Sequence, residues 1–228
     1  VTSFEFLPRI AIELTTRHVP GVADPLDRPY EAYVLCDVST ARDDPALRGL
    51  LEDTLEQAMD DGLVLDAVLA ESLAQRAALW KLRESVPEGQ RAEGASIKHD
   101  VSVPVAALPR FVAEATPAVL AIVPAGRMVA YGHVGDGNLH FNVSVPLGED
   151  DASFLAHAEA IHEAVHGIVR RYRGSISAEH GIGRLKREAL ARHKGHVELE
   201  VMRAIKQALD PKGILNPGKV LPEPDTGP

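Results

Sequence analysis

Two histidines flank an Asp-Gly pair within residues 131–143 (YGHVGDGNLHFNV), and this segment constrains the fold more than any other. An Asp-Gly pair between alternating apolar residues is typical of a two-residue β-hairpin turn. With that pair as the turn, His133 faces His140 and Tyr131 faces Asn142. Directly opposed side chains lie about 5 Å apart at Cβ, which is close enough for two imidazoles to share a metal ion. A bulge or a longer loop would change this register and separate the rings.

The remaining apolar patterns predict alternating strands and helices. Strands are expected at 31–38, 64–70, 96–103 and in two hairpin arms at 127–134 and 138–145. Helices are expected at 45–62, 73–86, 108–120 and 151–172, after residue 183, and at 197–209. This order predicts an α+β fold, with a ferredoxin-like antiparallel sheet, helices on one face and C-terminal helical additions.

Composition limits the classes of function. The chain has 228 residues, 45% of them hydrophobic and 25% charged, so it can bury a globular core. Its formal net charge of -9 argues against a nucleic-acid partner, and any site for an acid needs its own cations. A single cysteine excludes an internal disulfide, and neither a secretory leader nor a transmembrane segment is recognisable, so a cytoplasmic location is expected. The chain does not begin with methionine, which suggests a piece of a longer polypeptide.

A second segment with reactive side chains is residues 177–183 (SAEHGIG), where a carboxylate and an imidazole are adjacent in a glycine-rich turn. Glu179 together with His133 and His140 makes a two-histidine, one-carboxylate set that leaves positions on a divalent ion open for substrate. His180 would remain free as a base that accepts a proton from a metal-bound hydroxyl. The alternative is that these histidines are ordinary hydrogen-bonding residues and that the Glu-His pair caps the next helix.

Two cations could bind an anionic substrate. Arg83 lies on a predicted helix and Lys98 on a predicted strand, and an arginine can hold a carboxylate through two parallel hydrogen bonds. Solvated side chains are the simpler interpretation of both residues. Arg184, Lys186 and Arg187 are expected to form a solvated helix face, although their position just after His180 could help attract an acid.

Residues 162–166 (HEAVH) match the zinc-protease pattern H-E-x-x-H on a predicted helix. The apolar stripe of that helix places His162 and His166 on its flank toward solvent. We therefore interpret the match as a coincidence and keep a metallopeptidase as a weaker alternative.

Six segments follow one another along the chain: SFEFL, LWKLRESVPE, IKHDVSVP, GHVGDGNLHFNV, SISAEHGIGRLKRE and LDPKGILNPGKVL. In this order they resemble the C-terminal domain of FAD-linked oxidases of the vanillyl-alcohol oxidase type, in the branch of D-lactate dehydrogenase, D-2-hydroxyglutarate dehydrogenase and the glycolate oxidase D subunit. The resemblance implies that residues 1–228 form a substrate- and metal-binding domain, and that a separate N-terminal domain binds the FAD, in the same chain or as a partner subunit.

The resemblance also implies roles for single residues. It implies metal ligation, commonly of zinc or manganese, by His133, His140 and Glu179; base catalysis by His180; substrate binding by Arg83, Lys98 and Asn142; and a flavin contact by Asn216. The implied reaction oxidises the 2-hydroxyl of a D-2-hydroxy acid to a 2-oxo acid and transfers a hydride to FAD.

This sequence departs from the family pattern in two ways. It contains no dinucleotide-binding fingerprint, so the isolated chain is expected to be inactive. Pro87 stands where relatives specific for 2-hydroxyglutarate can carry threonine, which leaves the identity of the D-2-hydroxy acid open. A homodimer is a further expectation. The main alternative to an enzyme is a non-catalytic metal-binding or subunit-interaction module.

Overall fold

The computed structural model describes residues 1–42 and 44–222. The strands are β1 (Ser3–Pro8), β2 (Ala32–Asp37), β3 (Ser96–Ile97), β4 (Asp100–Ser102), β5 (Arg127–His133) and β6 (Asn138–Ser144). The helices are α1 (Arg9–His18), α2 (Ala46–Asp60), α3 (Leu73–Glu84), α4 (Val86–Ala92), α5 (Leu108–Ile122), α6 (Asp151–Leu155), α7 (Ala158–Arg171), α8 (Arg187–His193) and α9 (His196–Leu209).

The six strands form one sheet in which every pair is antiparallel. The strand order is β2-β1-β5-β6-β3, and β4 also pairs with β6. β3 and β4 follow one register along β6, because Ile97 lies opposite Val143 and Asp100 lies opposite His140. The predicted strand at 96–103 is therefore present, with an interruption at residues 98–99.

Helices pack on both faces of the sheet, so the prediction of helices on one face is wrong. Ala130 and Phe141 belong to a core cluster shared with α5 and α7. Val129 and Tyr131 belong to a second cluster that includes residues of α1. Successive side chains of β5 are buried on opposite faces, and each apolar face needs its own cover. The α+β class and the antiparallel sheet are confirmed, and the ferredoxin-like arrangement stays a prediction.

Other local expectations differ from the structure in instructive ways. Residues 64–70 form no strand, and Leu65 and Val68 are exposed. The helix predicted to end before Pro87 ends at Glu84, and Pro87 lies in the first turn of α4. Proline is tolerated there because the first amides of a helix have no carbonyl partner within the helix.

One stretch of the described chain, Val105–Ile122, is long and apolar enough to cross a membrane by length and composition, whereas the sequence was expected to contain none. It includes α5, whose Phe111, Ala115 and Val119 are fully buried in the core. Core helices pass the same test, so the stretch is weak evidence for a membrane span.

Candidate active site

The histidine hairpin has a longer loop than the sequence predicted. β5 ends at His133 and β6 begins at Asn138, so four residues connect the strands. Tyr131 lies opposite His140, and Val129 lies opposite Asn142. The predicted pairing of His133 with His140 is therefore wrong by two residues.

A shift of two residues keeps every side chain on its original face of the sheet, because the side-chain period of a strand is two. The rings of His133 and His140 remain neighbours, with centroids 6.0 Å apart. Glu179 reaches both of them: one carboxylate oxygen lies 3.2 Å from His140 Nε2, and the other lies 3.7 Å from His133 Nε2. The structure thus brings the three predicted metal ligands together.

A buried glutamate that the sequence interpretation missed orients His133. Glu5 lies opposite His133 in the pairing of β1 with β5, and its Oε1 accepts a hydrogen bond from His133 Nδ1 at 2.6 Å. Its other oxygen accepts one from Arg83 Nε at 2.7 Å. Burial raises the pKa of Glu5, but the bonds from Arg83 and His133 more than offset this and hold it below its ordinary value. The sequence did contain a signal for Glu5. It stands two positions before the apolar Leu7 on the same strand, so both side chains lie on the same buried face.

Asp100 holds the turn that carries Glu179 and His180. Its Oδ2 accepts the backbone N–H of Glu179 at 3.1 Å and that of His180 at 2.8 Å. Burial raises the pKa of Asp100, but these two backbone bonds outweigh it and keep the pKa below its ordinary value. The negative charge of Asp100 therefore fixes the turn beside His140, its neighbour across the sheet.

His180 is placed beside the predicted ligands, as expected. Its ring stacks on His140 with centroids 5.5 Å apart, and its Nε2 lies 3.6 Å from Glu179 Oε1. The His180 side chain is largely exposed, whereas burial lowers the pKa of His140. The exposed imidazole can exchange protons with solvent, and the buried one is kept neutral.

A cavity of about 370 Å³ lies beside these side chains. The predicted site residues that line it are Arg83, Lys98, His140, Asn142, Glu179 and His180, whereas the predicted ligand His133 is not among its lining residues. Pro87 and Lys186 also line it, as do His99, Asp100 and Tyr131, to which the sequence interpretation gave no role in the site. The volume falls in the range of about 300–1,000 Å³ that small-molecule sites occupy.

Three cations border the cavity. The Arg83 guanidinium lies 4.9 Å from the centroid of the Tyr131 ring, a cation–π arrangement. Lys98 is exposed. Lys186, expected on a solvated face, is half-buried and donates to the Ile176 carbonyl at 2.9 Å. Burial lowers the pKa of Lys186, and Asp100 opposes that shift.

Asn142 is buried in the wall of the cavity. Its Oδ1 accepts the backbone N–H of His99 at 3.2 Å, and its Nδ2 donates to Gln90 Oε1 at 3.1 Å. Asn216 is exposed in the C-terminal tail, with a φ of 48°. A flavin contact by Asn216 stays a prediction.

The H-E-x-x-H residues lie elsewhere, and their predicted position toward solvent is wrong. His166 is 5% exposed, and His162 Nδ1 lies 2.9 Å from His99 Nε2. Glu163 is paired with Arg192 at 2.8 Å. A carboxylate held in this way is not placed as the general base of a peptidase.

The residues around the cavity fit a divalent ion. The Glu5 bond to His133 Nδ1 leaves Nε2 directed at Glu179, and such an outer carboxylate is typical of metal-binding histidines. One ligand atom each from Asp100, His140, Glu179 and His180 lies within 4.8 Å of the others, and His133 approaches this group through Glu179. Imidazole and carboxylate together suit zinc or manganese.

An α+β domain with a cavity lined by imidazoles, carboxylates and cations is typical of small-molecule-binding domains. The family model "FAD linked oxidases, C-terminal domain" matches residues 1–220. The chain belongs to this family.

Curated relatives are similar over nearly the whole chain. A probable mitochondrial D-2-hydroxyglutarate dehydrogenase of Oryza sativa subsp. indica is 38% identical over 224 residues, covering 98% of this chain and 38% of the relative. The D-2-hydroxyglutarate dehydrogenase of Xanthomonas citri pv. viticola is 37% identical, covering 96% and 45%. That of Stutzerimonas stutzeri is 36% identical, covering 96% and 47%. The chain thus spans less than half the length of these relatives.

Among solved structures, 4-ethylphenol oxidase from Gulosibacter chungangensis aligns with a TM-score of 0.48 and 15% identity, over 97% of this chain and 48% of that one. A similarity of this size carries no functional inference.

Proposed function

We propose that this chain is the substrate- and metal-binding domain of an FAD-dependent D-2-hydroxy-acid dehydrogenase. The observation that supports it most is that Glu179 contacts both His133 and His140, and that Glu179 and His140 line a cavity that Arg83 and Lys98 also border. Family membership and relatives that are D-2-hydroxyglutarate dehydrogenases support the same reaction class.

The metal ligands would be His133 Nε2, His140 Nε2 and the Glu179 carboxylate. A bound zinc or manganese ion supplies Lewis acidity, which lowers the pKa of a coordinated hydroxyl. Glu5 fixes the tautomer of His133, and Asp100 fixes the turn that carries Glu179. The protein thus holds the ligands through a second layer of carboxylates.

His180 would accept the proton of the 2-hydroxyl. Its imidazole lies beside His140 and Glu179, and it is exposed, so the accepted proton can pass on to solvent. FAD, when bound by a separate domain, supplies the hydride acceptor. The product is then the 2-oxo acid.

Arg83 and Lys98 would bind the substrate carboxylates, with Asn142 in the wall of the same cavity. Arg83 Nε is engaged by Glu5, which orients the remainder of the guanidinium. The rigid ring of Pro87 lines the cavity and has no hydroxyl to donate to a second carboxylate. All three relatives described above are named as D-2-hydroxyglutarate dehydrogenases, one of them as probable, and D-lactate and glycolate remain alternatives for this chain.

The FAD-binding part of the complete protein would cover an apolar stripe on α9. Val197, Val201, Ile205 and Leu209 recur every four residues and are each more than half exposed. A stripe with this spacing is usually buried against a partner surface. The tail that carries Asn216 follows α9, which supports the proposed flavin contact, whereas a homodimer is the alternative use of the stripe. A cytoplasmic location stays a prediction, because the rice relative is mitochondrial by name.

Binding to the isolated chain tests the site without requiring turnover. Zinc is titrated into metal-free chain, and D-2-hydroxyglutarate, D-lactate and glycolate are then titrated calorimetrically, with L-2-hydroxyglutarate as the stereochemical control. We expect a D-2-hydroxy acid to bind only after zinc, and His140→Ala to abolish this binding. His157→Ala, an exposed position before α7, is the matched control and should bind normally.

Turnover distinguishes an enzyme from a metal-binding module. The complete gene product is mixed anaerobically with each D-2-hydroxy acid, and bleaching of the flavin absorbance is followed. Flavin reduction that His180→Ala slows supports the dehydrogenase. Zinc-dependent acid binding with a flavin that no D-2-hydroxy acid reduces would contradict it.

A further inference from the structure

A second group of histidines lies where the segment between β3 and β4 packs against α7, next to the candidate active site. His99 stands between Lys98 and Asp100, and all three residues line the cavity. Neighbouring side chains of an extended segment point to opposite faces, so the His99 ring is directed at α7. There its Nε2 lies 2.9 Å from His162 Nδ1.

Helix α7 contributes a second imidazole one turn further on. His162 and His166 are four residues apart, so they share a helix face, and their rings stack with centroids 5.8 Å apart. The His166 ring also lies 5.6 Å from that of His99. One ring nitrogen from each of these three histidines lies within 4.8 Å of the other two.

The tautomer of His99 suits a ligand. Its Nδ1 donates to the Phe141 carbonyl at 2.8 Å, which leaves the lone pair of Nε2 directed at His162. A backbone carbonyl on the far nitrogen is the usual support of a metal-binding imidazole. Nitrogens bound to one zinc ion are about 3.3 Å apart, from zinc–nitrogen bonds of about 2.0–2.1 Å, so the 2.9 Å contact needs only a small expansion.

We propose that His99, His162 and His166 form a second metal site, for a divalent ion of the zinc class, with ligands other than those of the candidate active site. The ion would clamp α7 to the break between β3 and β4. Since Lys98 and His99 of this break and the adjoining Asp100 line the cavity, the clamp would stabilise one of its walls. This proposal is independent of the proposed function.

Two further observations favour an ion at this position. Nδ1 of His166 and both ring nitrogens of His193 are buried without a hydrogen-bond partner among the residues that the structure describes. The His193 ring lies 5.4 Å from that of His166, within reach of the same region. Leaving a buried nitrogen without a hydrogen-bond partner destabilises the fold, and coordination of an ion would offset that loss.

The charge state is compatible with metal binding. Burial, followed by the charge of His162, lowers the pKa of both His99 and His166 to about 3, so these rings are neutral near neutral pH. The positive charge of Lys186 disfavours a second cation here, but its ammonium group donates a hydrogen bond to the Ile176 carbonyl. Burial lowers the pKa of His162, whereas the negative charge of Glu159 raises it and therefore favours a cation.

Proton balance requires one change of tautomer. The Nδ1 proton of His162 now bridges to His99, so this proton must leave when the ion enters. Because His162 is only half-buried, its ring can be protonated at Nε2 from solvent instead. The ion therefore replaces a hydrogen bond with no net release of protons.

The test separates the two sites by mutation. A His133→Ala/His140→Ala double variant removes the candidate active-site ligands, and zinc is titrated into it against a chromophoric chelator. We expect one equivalent of bound zinc in this variant, none after the further change His162→Ala, and one after the control change His157→Ala. X-ray absorption should show three imidazole nitrogens at about 2.0–2.1 Å.

Two results would overturn the proposal: no zinc binding by the folded double variant, or zinc binding that survives His162→Ala. Circular dichroism monitors folding in each case. If the double variant does not fold, the proposal is tested with His162→Gln in the otherwise unchanged chain. This change should lower the measured zinc stoichiometry by one equivalent, and an unchanged stoichiometry would overturn the proposal. Should the candidate active site bind no metal at all, the wild type would bind one equivalent and His162→Gln none.

Discussion

His133 Nδ1 donates to Glu5 Oε1 at 2.6 Å, although the two residues are 128 positions apart in sequence. The pairing of β1 with β5 places them directly opposite. The same glutamate accepts Arg83 through its second oxygen. One buried carboxylate thus orients a proposed metal ligand and a proposed substrate-binding cation.

Glu5→Gln should weaken zinc binding at the candidate active site. The change keeps the shape of the side chain but removes the charge that supports His133, and loss of such an outer carboxylate typically costs about 10–100-fold in metal affinity. Competitive zinc titration measures the effect, with the exposed Glu13→Gln on α1 as control. An unchanged zinc dissociation constant would show that Glu5 does not support the site.

Asp100→Ala should destabilise the turn that carries Glu179 and His180. Two backbone N–H groups lose their acceptor, and an unsatisfied buried group costs about 1–3 kcal/mol, so the free energy of unfolding in urea should fall by that order. Asp100→Asn keeps a carbonyl acceptor and should cost less. Asp53→Ala, on the exposed face of α2, is the control. Equal losses for the Ala and Asn variants would contradict this role.

Gly137→Ala should be far more disruptive than Gly135→Ala, although both lie in the same loop. Gly137 has a φ of 85°, and a Cβ added there would lie 2.1 Å from the Val103 carbonyl oxygen. At Gly135 the nearest atom to an added Cβ is 3.6 Å away, an ordinary contact. Left-handed backbone alone costs alanine about 1–2 kcal/mol, and the clash adds to that cost. Thermal unfolding compares the two variants, and similar melting temperatures would refute the prediction.

Glu93 should stabilise the fold in a pH-dependent way. The pKa of Glu93 is lowered from an ordinary 4.5 to about 2. The largest cause is a hydrogen bond from His18. Burial raises the pKa, and hydrogen bonds from Arg127 and Arg17 lower it further. Because the folded-state pKa is depressed, the stabilisation is complete above about pH 4.5 and is lost as the pH falls toward about 2. Arg17 is largely exposed, so solvent screening reduces the benefit to about 1–3 kcal/mol.

Urea unfolding of the wild type and Glu93→Gln at several pH values tests this prediction. The difference in free energy of unfolding should be largest near neutral pH and should shrink steadily below about pH 4.5. Glu88→Gln, an exposed change in α4, should show no such trend. A difference that stays constant down to the acid limit would rule out the charge of Glu93 as the cause.

Sequence patterns identified most of the local elements and most of the predicted site residues that line the cavity. The hairpin, helices α5 and α9 and the α+β class follow from local periodicity, which the chain expresses over short windows. The single helix predicted at 151–172 is wrong, because α6 ends at Leu155 and α7 begins at Ala158. His140, Glu179 and His180 were singled out because reactive side chains cluster within a few residues of glycine turns. The wrong predictions also come from local pattern. The apolar residues at 64–70 have the pattern of a strand, but no strand pairs with them among the described residues.

The sequence by itself determined which residues can do chemistry, and only the tertiary structure decided which of them meet. A period of two fixes the face that each side chain occupies, so His133 and His140 stayed neighbours when the register shifted by two residues. It does not fix the partner strand, so the bond from His133 to Glu5 could not be read from local pattern. His99 shows the same limit, because its approach to His162 depends on how α7 packs against the sheet, and such packing joins segments that are distant in sequence.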